Sequence, residues 1–269
     1  MDPDQDTPAP RIRTSPEDLS FGVPDFRKVT PGMIRVALGR GWRDFLATWQ
    51  FGLFFGGFYM LFGLGLWLLT VATGQTYWLM LAAFGFPLIG PFAAVGLYEI
   101  SRLLERGETP TWNRVLTGVW REKDRQIPSM AAIIIVLFIF WVFLGHVIFA
   151  LFMGLSVMTN ISSSFEVFLT ANGLMMIAAE LLIGGFVAII LYAITVIGMP
   201  MLVDREVDFV TAMITSVGIV SRNAGPMLAW GAFIVLALAI GMLPYFAGLL
   251  VVLPVLGHAT WHLYRSAVV

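Results

Sequence analysis

The sequence contains no cysteine and little charge: only 12% of its 269 residues are Asp, Glu, Lys or Arg, and three are histidine. Without cysteine there can be no disulfide, thiolate nucleophile, covalent c-type haem attachment or thiolate-ligated metal site. So little charge excludes an ordinary soluble surface, because a folded chain of this length needs polar side chains to cover it. No Walker A loop, GxSxG, HExxH or dinucleotide fingerprint occurs, so the commonest nucleotide and hydrolase chemistries lack their usual groups. The first 44 residues are polar and proline-bearing, with no short apolar core ahead of a small-residue cleavage site. The first apolar run is therefore expected to direct insertion itself.

Apolar residues are abundant: 58% of the chain is hydrophobic and the mean hydropathy is +0.85. A hydrocarbon core of ~30 Å takes about 20 helical residues to cross. That ruler gives six spans, at about 49–71, 77–100, 130–153, 173–199, 226–243 and 246–264. Only "PYF" around Pro244 divides the last two. As one rod they would be nearly twice the membrane thickness, so a tight hairpin is expected.

The cations set the orientation. Seven of the sixteen Lys and Arg precede the first span, six lie between the second and third, two lie between the fourth and fifth, and Arg265 follows the sixth. The alternate connections "TGQTY", "GLSVMTNISSSFEVFLTAN" and "PYF" have none. By the positive-inside rule both termini face the cytoplasm, and the location expected is a bacterial inner membrane. "NIS" at 160 matches a glycosylation sequon, which bears only on a secretory-pathway protein.

Three cation-bearing segments look alike: "TPGMIRVALGRGWRDFLATW", "TPTWNRVLTGVWREKDRQIP" and "VDFVTAMITSVGIVSRNAGP". In the first, Ile34, Ala37, Leu38, Gly41 and Phe45 share one helical face while Arg35, Arg40 and Arg43 point away. Thr30, Thr109 and Asp208 are the expected caps. The fold class expected is all-α and polytopic: six transmembrane helices as three hairpins, each preceded by a cytoplasmic interfacial amphipathic helix. Residues 1–28 read as a disordered tail and 29–265 as the transmembrane domain. In "FGVPDFRKV" two Phe flank a proline, which suits either a short docking element or a linker. Small residues four apart (Gly52 and Gly56, Gly184 and Ala188, Ala237 and Gly241) allow close helix approach. Pro87, Pro91, Pro200 and Pro254 interrupt spans and free backbone groups that neighbours must satisfy.

Ionisable residues within a membrane are costly enough to mark candidate sites. His146 and Glu180 fall at similar depth in the third and fourth spans and form a candidate polar pair. The alternative for Glu180 is a neutral carboxyl hydrogen-bonded as packing glue. His258, Trp261, His262 and Arg265, at i, i+3, i+4 and i+7, line one face of the sixth span, with Glu99 as the candidate carboxylate partner. Trp261, Tyr264 and Arg265 also suit an interfacial anchor. The histidine pair lacks a third metal ligand, and His146 and His258 sit at opposite depths, unlike a bis-histidine haem. No metal and no cofactor is expected.

At "FPLIGPFAAVGLYEISRLLERGE", "GWRDFLATW" and "LPVLGHATWHLYR" the chain resembles a bacterial family of integral membrane proteins, domain of unknown function 2189, over most of residues 29–265. The resemblance implies a polytopic membrane location and supplies no activity. The role expected is a non-catalytic accessory or assembly factor, with membrane lipids and another integral membrane protein or complex as partners. The alternatives are a small-solute or proton-coupled transporter or channel, and a lipid-modifying enzyme. Glu105, Glu108, Glu122 and Asp124 balance the basic loops, so nucleic acid is not an expected partner.

Overall fold

A computed structural model describes residues 24–74, 93–154 and 168–269 of the chain. Among the described residues the regular structure is α-helical, with one isolated antiparallel bridge between Phe26 and Val268. Most of the 77–100 span, the "NIS" sequon, Pro87 and Pro91 lie outside the described residues, as do residues 1–23 of the expected tail.

In chain order the helices are α1 (Pro31–Ala47), α2 (Trp49–Thr73), α3 (helical over 93–105), α4 (Trp112–Glu122) and α5 (Ile127–Met153), followed by α6 (Ala171–Thr195), α7 (Gly198–Asp204), α8 (Phe209–Arg222), α9 (Ala224–Met242) and α10 (Leu249–Ala267). Among the described residues four stretches are long and apolar enough to cross a membrane: Trp49–Thr73, Ile127–Met153, Ala171–Asp204 and Ala224–Met242. Large side chains such as Phe143 and Leu151 of α5, Leu182 and Phe186 of α6, and Val235 of α9 face outward. An apolar exterior of this kind belongs in lipid.

Caps fix where the short helices begin. Thr30 accepts from Met33 N at 3.3 Å with Pro31 in the first turn, and Asp208 accepts from Thr211 N at 2.9 Å, both at the expected positions. Thr109 is not the cap of α4: Thr111 is, accepting from Arg114 N at 3.4 Å. Thr111 has the extended backbone a cap needs, with φ of −120° and ψ of 153°, and a helix that starts after it sets Trp112 against Phe51 and Phe54 of α2. On α1, Ala37, Gly41 and Phe45 are buried while Arg35, Arg40 and Arg43 are exposed, as the helical spacing predicts.

The centre of the molecule is α10. It contacts α1 and α2 most extensively, and small residues make the approach possible. A Cβ on Gly41 would sit 2.6 Å from Ala259 N and 2.8 Å from Val255 O. A Cβ on Gly56 would sit 2.9 Å from Leu249 O, and one on Gly52 would meet the Phe45 ring and Pro254. Gly241 and Gly248 bring α9 against the start of α10, joined by a turn in which Tyr245 and Phe246 take φ of 50° and 66°. That turn is seated on α2, with the Tyr245 ring 4.9 Å from Trp67 and Phe246 filling the space beside Gly63.

From Leu256 onward α10 is enclosed by protein. His258, Ala259, Thr260, Trp261, His262, Leu263 and Tyr264 are all buried. This corrects the anchor reading of Trp261 and Tyr264: both are fully buried core side chains. An interfacial aromatic keeps one edge in the headgroup region, which these cannot do. Arg265 is the exposed member of the set, with 43% of its side chain accessible.

Two further joints hold the ends. Where α6 gives way to α7, the freed Ile197 N–H donates to Ser216 Oγ at 3.1 Å. Residues 24–29, of which 24–28 were expected to belong to the tail, are docked. Arg27 N donates to Ala267 O at 2.8 Å, Val269 N to Asp25 O at 2.9 Å, and Val29 N to the buried Asn223 Oδ1 at 2.8 Å. Phe26 lies under the Arg222 guanidinium at 5.0 Å. "FGVPDFRKV" therefore contains a docking element, and its anchor is Phe26.

Candidate functional site

Where α1, α3 and α10 meet, polar side chains form a continuous chain. Ser101 Oγ donates to Asp44 Oδ2 at 2.7 Å and lies 2.8 Å from His258 Nδ1. His262 Nε2 lies 2.7 Å from the same Asp44 oxygen, and His262 Nδ1 is 3.2 Å from Glu105 Oε1. Arg265 extends the chain: its Nε donates to Glu105 Oε2 at 3.0 Å and its Nη1 to Asp204 Oδ2 at 2.9 Å. Tyr264 OH donates to that same Asp204 oxygen at 2.8 Å.

Helical spacing brings these groups together. Ser101 and Glu105 are i and i+4 on α3, and His258, His262 and Arg265 are i, i+4 and i+7 on α10, so each set lines one face. Asp44 comes from α1, held close by the Gly41–Ala259 crossing. Burial alone would push the Asp44 carboxyl up, but hydrogen bonds from His262 and Ser101 outweigh it and hold the group below its ordinary value. Glu105 is likewise held down, with burial opposed by His262 and Arg265.

An ionised Asp44 can only accept, so the Ser101 hydroxyl hydrogen goes to Oδ2 and the Ser101 oxygen accepts from His258 Nδ1–H. The order is therefore histidine, serine, carboxylate. A nucleophilic triad needs the imidazole between hydroxyl and carboxylate so that it can take the proton. Here the serine is in the middle, and it has no exposed surface. The arrangement joins three helices and presents no nucleophile to a substrate.

Of the residues singled out from sequence, His258, His262 and Arg265 are brought together and Glu99 is directed elsewhere. Glu99 Oε2 is 2.6 Å from Arg102, on the face of α3 that meets α4, and a Cβ on Gly118 of α4 would sit 2.8 Å from its carboxyl carbon. The carboxylates that reach the histidines are Asp44 and Glu105, because i, i+4 from Ser101 selects a different face of α3 from Glu99. Sequence reasoning missed Asp44, Ser101, Glu105 and Asp204. The Ser101–Glu105 spacing was a usable signal, and so was Asp44 as the sole acid of an amphipathic helix. His146 is exposed, its Nδ1 turned back to Val142 O of its own helix at 2.8 Å. Among the described residues no hydrogen bond or ion pair joins His146 to Glu180. The two carboxylates at His262 lie against opposite ring nitrogens and do not converge as a ligand set.

Residues 79–204 match a family model described as predicted integral membrane protein (DUF2189). Over that segment, a little under half of its length, the chain is similar to this family. The protein is thus an integral membrane protein, and its apolar helices contact lipid. No curated protein and no solved structure matches the chain. The DUF2189 match is shorter than the likeness read over 29–265, and it divides the polar chain. Ser101, Glu105 and Asp204 lie inside it, while Asp44, His258, His262 and Arg265 lie in the flanking segments.

A second feature lies between the helices: a cavity of about 420 Å³, lined by apolar side chains together with Tyr59, Tyr98, Tyr192 and Thr195. Tyr192 OH is committed to Met227 O at 2.6 Å.

Proposed function

We propose that the protein is a non-catalytic accessory or assembly factor of a membrane complex. In this reading it crosses a bacterial inner membrane six times, as three hairpins each led by an interfacial helix (α1, α4 and α8), with both termini in the cytoplasm. The observation that carries the reading is the internal use of the polar chain. Ser101 Oγ bonds both His258 Nδ1 and Asp44 Oδ2 inside the protein, and Ser101 and His258 are fully buried with the unpartnered His258 Nε2 enclosed as well, so among the described residues this serine, histidine and carboxylate set fastens helices. The same facts weigh against a lipid-modifying enzyme built on His258 and His262. The charge pattern supports the orientation, since all sixteen cations fall on the terminal segments and two alternate connections, with none on the other three connections.

Mild solubilisation of the tagged full-length protein tests the role. A stoichiometric integral membrane partner is expected to co-purify, and to cross-link through outward positions such as Leu182. A lone protein in several mild detergents, without cross-links, would overturn the reading.

The roughly 420 Å³ cavity favours a second reading, transport of a small solute. Flux in proteoliposomes that is lost when Thr195→Phe fills the cavity would support it. Flux absent from the wild type would exclude it.

A further inference from the structure

Beside the polar chain, a second pocket opens at the surface between α1 and the end of α3. Its volume is about 340 Å³, and Arg40, Arg43, Asp44, Glu105 and His262 line it. Its acids are already engaged: Asp44 by Ser101 and His262, Glu105 by His262 and Arg265. Its two guanidiniums are not. Among the described residues neither Arg40 nor Arg43 makes a hydrogen bond or an ion pair, and both are exposed at i and i+3 on one stripe of α1. The mouth therefore carries two uncompensated, forked cations over a floor whose own charges are paired.

The surroundings indicate what such a pocket meets. Along the neighbouring stripe, Trp42, Leu46 and Trp49 are 46%, 55% and 56% exposed, and Trp49 opens a helix long and apolar enough to cross the membrane. Exposed tryptophan at the end of a span marks the headgroup level. Guanidinium pairs at that depth match phosphate oxygens bidentately, and phosphate is the anionic group that lipid headgroups supply there.

We propose that this pocket binds a phosphate-bearing ligand, the phosphate of an anionic phospholipid headgroup being the source the position favours. Arg40 and Arg43 take the phosphate oxygens while the apolar stripe of Trp42 and Leu46 lies along the acyl region. The ligand would cross-brace α1 against α3 above the polar chain.

Full-length protein in nanodiscs of mixed phosphatidylglycerol and phosphatidylcholine, released into a native mass spectrometer, tests this. The wild type is expected to retain phosphatidylglycerol over phosphatidylcholine. Arg40→Gln with Arg43→Gln should reduce that retention on the order of tenfold. Lys28→Gln with Arg35→Gln removes the same charge from exposed, unpaired positions and should cost only the smaller diffuse attraction. Unaltered far-UV circular dichroism in both double variants separates lost binding from lost folding. In phosphatidylcholine-only nanodiscs, inorganic phosphate is titrated calorimetrically. Saturable heat that disappears in the Arg40 and Arg43 variant, without phospholipid retention in the first experiment, supports the same pocket with a soluble phosphate as its source. Equal losses in the two double variants would overturn the proposal, as would a wild type showing neither lipid selectivity nor phosphate heat.

Discussion

Asp44 Oδ2 accepts from Ser101 Oγ and lies 2.7 Å from His262 Nε2, so one oxygen ties α1 to both α3 and α10. Asp44→Ala would leave a buried hydroxyl and an imidazole without their acceptor, and a loss of about 3 kcal/mol is expected. Ser101→Ala removes a smaller group and should cost about 1–2 kcal/mol. Denaturant titration of helical circular dichroism in a fixed detergent measures both. The acid limb follows from linkage. Asp44 and Glu105 have folded values below their ordinary ones, so their contribution is complete above the ordinary range and is lost as pH falls through the folded values. Thermal midpoints should hold until about pH 4 and then drop, and Asp44→Asn should flatten that drop. An unchanged acid limb in Asp44→Asn would show that Asp44 is not the group that titrates. His258, His262 and Arg265 were legible in the sequence because a polar residue in an apolar helix is costly and therefore conspicuous. Asp44 was not, since it sits among ordinary interfacial charges and meets His262 across 218 residues.

Among the helices, α10 depends on the smallness of its neighbours. Gly41 and Gly39 lie two apart on α1, yet a side chain at Gly41 would meet the α10 backbone, whereas one at Gly39 would meet nothing within 4 Å. Gly41→Leu is expected to destabilise the fold by about 3 kcal/mol or to detach α1, and Gly39→Leu to be tolerated within about 0.5 kcal/mol. Limited proteolysis at the α1–α2 junction distinguishes the two, and equal protection would contradict the crossing geometry. The small-residue pairs Gly52 with Gly56 and Ala237 with Gly241 were legible in the sequence, because four-residue spacing repeats on one face whatever the partner. Their partner was not, since spacing carries no information about which helix arrives. Helix existence was also legible: α2, α5 and α9 fall within a few residues of the spans read from hydropathy. The anchor alternative for Trp261 and Tyr264 of α10 failed because burial by protein and burial by lipid select similar side chains. Trp261 and Tyr264 belong to the first.

For the whole molecule, the apolar exterior and the family match agree on a membrane protein, while its orientation rests on the distribution of sixteen cations. In the proposed reading two surfaces have distinct roles: outward faces of α5, α6 and α9 for lipid or a partner helix, and the α1 pocket for phosphate at the membrane surface. The proposed orientation requires Arg40, Arg43 and the polar chain to lie on the cytoplasmic side. Reporter fusions or cysteine labelling at Gly74, Asn160 and Asp204 in living cells test that requirement most directly. The account predicts Gly74 and Asn160 outside and Asp204 in the cytoplasm. Finding all three on one side would contradict it.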